Sequence, residues 1–443
     1  MDNYVLRKTG IVITGLTLMI TGCSGGVDSV KTVKPAEEKQ VKLDTTPVKV
    51  KFATTSGPFN EKDFQQYVKD PVAKKYPHIT LEYINMSEKG LSLNELVAAG
   101  NLPDIVVGYG ATLKQLKDLQ LFYTLEPLIK KYNLDLNRIS PEMLEYIKVN
   151  GASDSLGGLP AYNNTFGLFN NKGLFDKFGV PYPKDGMTWE EVGDLGRKIT
   201  QMYDGVQYRG FFPDGVNRMI NQITLTQLDK NDKSMLTTEP WKNAFELWNK
   251  IYNYPGSSDP PFNTINFSNN QAAFLKGELA MITGYSATLL ALREAKDMSW
   301  DVVTYPQHKS KMGYSTNVDT PNLSITEQSK VKDAAFLVIE TVLSDEVQLD
   351  FSRNAKMSVL TSDKVKQEFG KGIPEFQGKP LNLVSMVNLK PSVPRISQYQ
   401  GSDTNKIVSD AYEVVLRKEK DINTALREAD EALNKLVESK KKQ

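Results

Sequence analysis

Cysteine occurs once in 443 residues, at Cys23, and histidine twice, at His78 and His308. A single thiol forms no bridge within one chain, so the fold must be held by packing. So few soft ligands argue against a zinc or transition-metal centre, and no metal or cofactor is expected, although carboxylates leave a hard cation open. An excess of charge of one sign is missing too, since Lys plus Arg number 54 and Asp plus Glu 53. Nucleic acid is held mainly by clustered cations, so no nucleic-acid partner is expected. HExxH and P-loop motifs do not occur, and no internal repeat is visible. Without these signatures an enzyme is not expected.

The amino terminus carries more information. Arg7 and Lys8 precede an apolar run from Ile11 to Ile20, which is too short to cross a bilayer as a helix and reads as a secretory signal. Ile20-Thr21-Gly22-Cys23 resembles the bacterial lipobox, whose cysteine is lipidated and begins the mature protein. The expectation is a signal peptide over 1–22 and a lipid-anchored flexible spacer over 23–47, rich in Lys, Glu, Val and Thr without apolar periodicity. That places the chain on the extracellular face of the cell membrane, touching it only through the lipid at Cys23.

The length from residue 48 onward exceeds one hydrophobic core, so two domains are the natural prior. Val48–Ala53 alternates as a strand, a helix over 61–75 is interrupted near Pro71, and Ile79–Ile84 is a second strand. A helix over 91–99 and a strand over 104–109 complete a strand-helix alternation typical of parallel α/β units, which gather ligands beyond the strands' carboxyl ends. Strands are also expected over 165–170, 279–282 and 300–303. Thr188 and Glu191 form a capping pair, and further helices are expected over 241–252, 269–276, 331–343 and, as one long element, 407–440.

Several segments resemble the bacterial extracellular solute-binding proteins of the maltose-binding, family 1 type. They are Leu102-Pro103-Asp104-Ile105, Gly158–Asn164, Leu168–Lys172, Leu174–Val180, Thr188–Glu191, Phe274–Met281 with Gly284-Tyr285, and Asp333–Phe336. The resemblance implies an α/β, two-lobed periplasmic-binding-protein-like fold (type II, maltose-binding-like) with an interlobe ligand cleft and a hinge. Its lobes are expected over 48–159 with 306–350, and over 160–305 with 351–443. It further implies a monomer that captures a carbohydrate, an oligosaccharide, and delivers it to ABC permease transmembrane subunits. Alternatives are a non-sugar solute, a sensory receptor, or a surface-anchored glycoside-processing enzyme, which needs two suitably spaced carboxylates.

A sugar site needs aromatic faces for apolar C–H surfaces and planar polar groups for hydroxyls. The resemblance places candidates at Ser56 and Asn60 in the first strand-to-helix loop, at Tyr109 after the third strand, and at Tyr162, Asn163 and Asn164 on the crossover. It adds Phe212 and Asp214 in the Phe211–Asp214 loop, and Tyr285 as an aromatic platform. Near the end, Pro391–Gln400 resembles a segment that closes with an aromatic in maltose-type members. Gln400 stands at that position, so Tyr399 is the substitute candidate, and Arg395 serves either an acidic sugar or a neighbouring carboxylate. Each of these residues also has an ordinary role open to it, as a turn, cap or core residue.

Overall fold

The computed structural model describes residues 43–442 except 56, 152, 214, 261, 263–266, 380, 382–387, 391–396 and 398. In chain order its strands are β1 (Val48–Thr54), β2 (Ile79–Asn85), β3 (Ile105–Gly108), β4 (Leu159–Pro160), β5 (Phe166–Asn171) and β6 (Gln201–Tyr203), then β7 (Val206–Phe212), β8 (Leu279–Tyr285), β9 (Trp300–Thr304), β10 (Tyr314–Asn317), β11 (Asn322–Ile325) and β12 (Asn388–Lys390). They form two five-stranded sheets, β2-β1-β3-β11-β4 and β6-β7-β8-β5-β9, and a small pair β10-β12. No helix among the described residues is long and apolar enough to cross a membrane.

The alternation at Val48–Ala53 does what its period dictates. Val50 and Phe52 are buried, while Lys49 on the other face pairs with Glu82 at 2.6 Å. β1 lies parallel between β2 and β3, as connected strand-helix units require. The chain then builds the second sheet before β11 returns, antiparallel, to sit between β3 and β4. In the second sheet β5 lies between β8 and β9, antiparallel to both, and is buried along its whole length.

Helices cover these sheets where the sequence supplies caps and small residues. Thr188 and Glu191 form the expected reciprocal cap of Trp189–Ile199, with Glu191 Oε2 accepting from Thr188 N at 2.7 Å. That helix lies unusually close to β7, because a Cβ on Gly210 would sit 1.9 Å from the Gly196 carbonyl oxygen. Only glycine fits there.

Two expectations differ from what is observed. Pro71 does not interrupt its helix: one π turn over Gln65–Lys69 widens the coil just before it, with Asp70 N bonding to Gln65 O, and helix continues over Asp70–Lys75. The long terminal helix is two, Ser402–Leu416 and Ile422–Lys441, because Lys418 turns into the left-handed region (φ 58°) and Asp421 caps the second start. Beyond residue 350 the chain stays with the first sheet's helices for a further stretch: Phe351 stacks on Tyr67 at 4.3 Å and Leu360 bridges Ile139. Farther on, the Phe376 ring meets Trp300 of β9.

Candidate functional site

The site begins where β3 ends. A Cβ on Gly108 would fall 2.0 Å from Thr112 Oγ1, so glycine permits the tight turn that sends Tyr109 into the start of the helix Gly110–Asp118. Tyr146, from the helix Pro141–Gly151, fixes that turn by accepting from Gly110 N at 3.0 Å. Tyr109 is left half-buried, at the carboxyl end of a parallel strand, where α/β sheets collect ligands.

The crossover 161–165 supplies the next layer. Tyr162 is buried and donates through its hydroxyl to Pro58 O at 2.8 Å. Asn163, also buried, accepts from Asp319 N at 2.9 Å and donates to Asn164 O at 2.7 Å. These bonds lock two connections between the sheets together. Asn164 then points its amide at two groups, Tyr109 Oη and Asp319 Oδ2, each 3.3 Å away.

Opposite lies an aromatic pair set by strand register. Phe166 begins β5 and sits across from Tyr285, the last residue of β8, with ring centroids 6.3 Å apart. Phe267 supports Tyr285 at 5.1 Å. Arg218, on the helix Val216–Gln222, lies with its guanidinium 4.4 Å from the Phe166 centroid and 5.6 Å from that of Tyr285. Its Nη1 is 3.7 Å from Asp319 Oδ2. A cavity of about 430 Å³ opens beside this group, lined by Tyr146, Arg218 and Asp319 together with Asn217, Ser409 and Glu413. That volume is in the range of small-molecule sites.

The electrostatics favour neutral hydroxyls and paired charges. Burial, and then the negative charge of Asp319, push the Tyr109 hydroxyl above the ordinary tyrosine range. Burial likewise raises Tyr146 and Tyr162. Asp319 faces Arg218, and Glu413 is held by Arg417 at 3.2 Å. Asn217 Oδ1 is buried and accepts no hydrogen bond from the described residues, although its amide nitrogen donates to Ser409 Oγ at 3.0 Å.

Of the candidate residues, Asn164 bonds to Tyr109 and Asp319, and Tyr285 lies near Arg218, so these three adjoin two residues of the cavity lining, while Tyr162 and Asn163 are buried and bonded to the protein. Asn60 is exposed and caps the next helix, accepting from Asp63 N at 2.9 Å. Phe212 is fully buried, 4.6 Å from Tyr252 and 6.1 Å from Phe262, because the end of β7 is covered on both faces; it has no surface to offer a cleft and is a core residue here. Tyr399 lies near Lys441, whose Nζ is 6.0 Å from its ring, away from the partners of Tyr109 and Tyr285. Gln400 donates to Gln227, which in turn reaches Asn405. Ser56, Asp214, Arg395 and Cys23 lie outside the described residues. Sequence reasoning missed Arg218, Asp319, Tyr146 and Asn217. Arg218 comes four residues after the Phe211–Asp214 loop, but nothing local marks it as a cleft residue.

This arrangement, two α/β lobes joined by several crossovers with aromatic and amide side chains between them, is that of a solute receptor. The chain belongs to the bacterial extracellular solute-binding protein family, whose pattern matches residues 67–371. Among solved structures it is similar to an ABC substrate-binding protein of Listeria monocytogenes in complex with cycloalternan, at 18% identity over 88% of this chain and 98% of that one, with a TM-score of 0.68. It is similar to the sugar-binding protein MalE of Xanthomonas citri at 18% identity, 89% and 98% coverage and a TM-score of 0.68. A sugar transporter of Rhizobium etli in an open conformation matches at 18% identity, 87% and 99% coverage and a TM-score of 0.67. At such identity the likeness establishes the fold, and the two-lobed maltose-binding-like architecture expected from the sequence is the one found.

Proposed function

We propose that the chain captures a neutral oligosaccharide between its lobes, closes on it by hinge motion, and delivers it to the permease subunits of an ABC importer. In this reading Cys23 carries the lipid that tethers a monomeric receptor to the outer face of the membrane. Binding occurs without turnover. The observation that carries the proposal is that the half-buried Tyr285 ring, backed by buried Phe166, and the amide and hydroxyl pair of Asn164 and Tyr109 both adjoin Arg218 and Asp319, which line one cavity. An apolar sugar face suits the half-buried Tyr285 ring, and the hydroxyls suit the planar amides. Asn217 Oδ1, a buried acceptor beside the cavity, is satisfied by one solute hydroxyl.

Charge supports a neutral solute over its ionic alternatives. An acidic sugar, a polyamine, a phosphate ester or a ferric ion asks for a surplus of opposite charge, whereas Asp319 and Glu413 each face an arginine. A ferric site would also draw on phenolates, and the raised Tyr109 and Tyr162 hydroxyls resist ionisation. Thermal-shift screening of the chain from Ser24 onward tests the reading. A ligand at a hundredfold excess over its dissociation constant stabilises the folded state by about 2.7 kcal/mol. Stabilisation by neutral saccharides is expected; stabilisation only by an amine, metal or phosphate ester would overturn the solute class while leaving the fold untouched.

A further inference from the structure

Tyr146 has a hydroxyl proton without an acceptor. Its side chain is 8% exposed and lines the cavity of about 430 Å³. The hydroxyl oxygen accepts from Gly110 N at 3.0 Å, and no atom of the described residues takes the proton. Tyr162, by contrast, donates to Pro58 O at 2.8 Å. Burial, and then the charge of Asp319, keep the Tyr146 hydroxyl protonated, while the Asp319 carboxylate itself is met by the Asn164 amide at 3.3 Å and by Arg218 at 3.7 Å.

We propose that Tyr146 is a specificity-determining residue, whose hydroxyl donates to a solute oxygen in the cavity while still accepting from Gly110 N. The inference rests on the carbohydrate reading of the site and adds to it a further contact residue and the direction of its hydrogen bond. Three features suit Tyr146 to that role. A buried donor left unpaired is costly, so a solute that supplies the acceptor gains what a solute without one forfeits. The bond from Gly110 N polarises the hydroxyl and strengthens it as a donor. Gly110 also opens the helix Gly110–Asp118 directly after Tyr109, so a solute bonded to Tyr146 braces the turn that presents Tyr109.

The direction of the bond selects a chemical class. Tyr146 offers a hydrogen, so the solute atom it meets needs only a lone pair: a hydroxyl serves, a fluorine in its place serves weakly, and a hydrogen does not serve at all. Asn217 Oδ1 asks the opposite, a solute hydroxyl that donates. Sugars with these hydroxyls intact are therefore favoured over their deoxy counterparts.

Titration calorimetry of the wild type with maltotriose, mannotriose and cellotriose, then with monodeoxy and monodeoxyfluoro analogues of the saccharide that binds, tests this. At one hydroxyl position the deoxy analogue should bind about five- to a hundredfold more weakly, with the deoxyfluoro analogue between it and the parent. In Tyr146→Phe the parent should weaken by a similar factor, and the three forms at that position should bind alike. Tyr162→Phe, which loses a hydroxyl bonded within the protein, should keep the wild-type discrimination. Discrimination that persists in Tyr146→Phe overturns the assignment, reduces the hydroxyl to a support for Gly110, and leaves the carbohydrate reading standing. If Tyr146→Phe does not fold, the wild-type series decides, and fluorine as damaging as hydrogen at every position overturns the assignment. Failure of every saccharide to bind the wild type overturns the carbohydrate reading and the role of Tyr146 with it.

Discussion

Replacing Tyr162 with Phe separates support from recognition within the cleft. The change removes one hydroxyl and leaves the ring, whose packing against Phe59 at 5.9 Å and Phe351 at 5.4 Å is unaffected. Lys356, with Nζ 4.7 Å from the Tyr162 ring and paired with Asp63 at 3.2 Å, also keeps its place. The loss is the 2.8 Å bond to Pro58 O, together with the hydroxyl's contact with the Tyr109 hydroxyl, and Tyr162 and Pro58 are buried. Leaving a buried carbonyl without its donor costs about 1–3 kcal/mol. Urea unfolding should therefore show a lower midpoint with an unchanged slope. Because the hydroxyl is already committed to the protein, saccharide affinity should stay within about twofold, a change of less than about 0.5 kcal/mol. Unchanged stability together with a tenfold loss of affinity would refute this reasoning and make the Tyr162 hydroxyl a solute contact.

Alkaline titration reads the tyrosines of the site: half-buried Tyr109 and buried Tyr146 and Tyr162 have folded-state values raised chiefly by desolvation, so their contribution to stability is intact below the unfolded value of about 10 and is lost as pH rises through the folded values. Phenolate absorbance should show these hydroxyls ionising only as the protein unfolds, and a single step near pH 10 without loss of structure would contradict their burial. Gly210→Ala should destabilise by about 3 kcal/mol, seen as a lower urea midpoint, because its methyl group would meet the Gly196 carbonyl oxygen at 1.9 Å. Cys23→Ser should move the protein from the membrane fraction to the medium, and its retention in membranes would exclude the lipid anchor.

Strands were legible in the sequence where a single period governed them. Val48–Ala53 and the Thr188/Glu191 cap needed only their own residues, and both formed as expected. The terminal hairpin escaped notice because its turn depends on one non-glycine residue, Lys418, entering the left-handed region, for which no Gly or Pro gives warning. Pro71 misled in the other direction, since a π turn absorbs the ring that would otherwise end the helix. Tyr109 and Tyr285 were readable as strand ends. Arg218 and Asp319 were not, because their meeting is made by a helix and a crossover about a hundred residues apart in the chain. Phe212 shows the reverse case, an aromatic in a promising loop that the end of a doubly covered strand draws into the core.

The most direct measurement is calorimetric titration of the chain from Ser24 onward with a neutral oligosaccharide, repeated on Tyr285→Ala. Saturable one-to-one binding to the wild type, weakened at least about tenfold when the Tyr285 ring is removed, is the predicted result, since stacking on an aromatic face contributes on the order of 1 kcal/mol beyond the area it buries. Binding of a charged solute instead, with the same affinity in both proteins, would contradict the account.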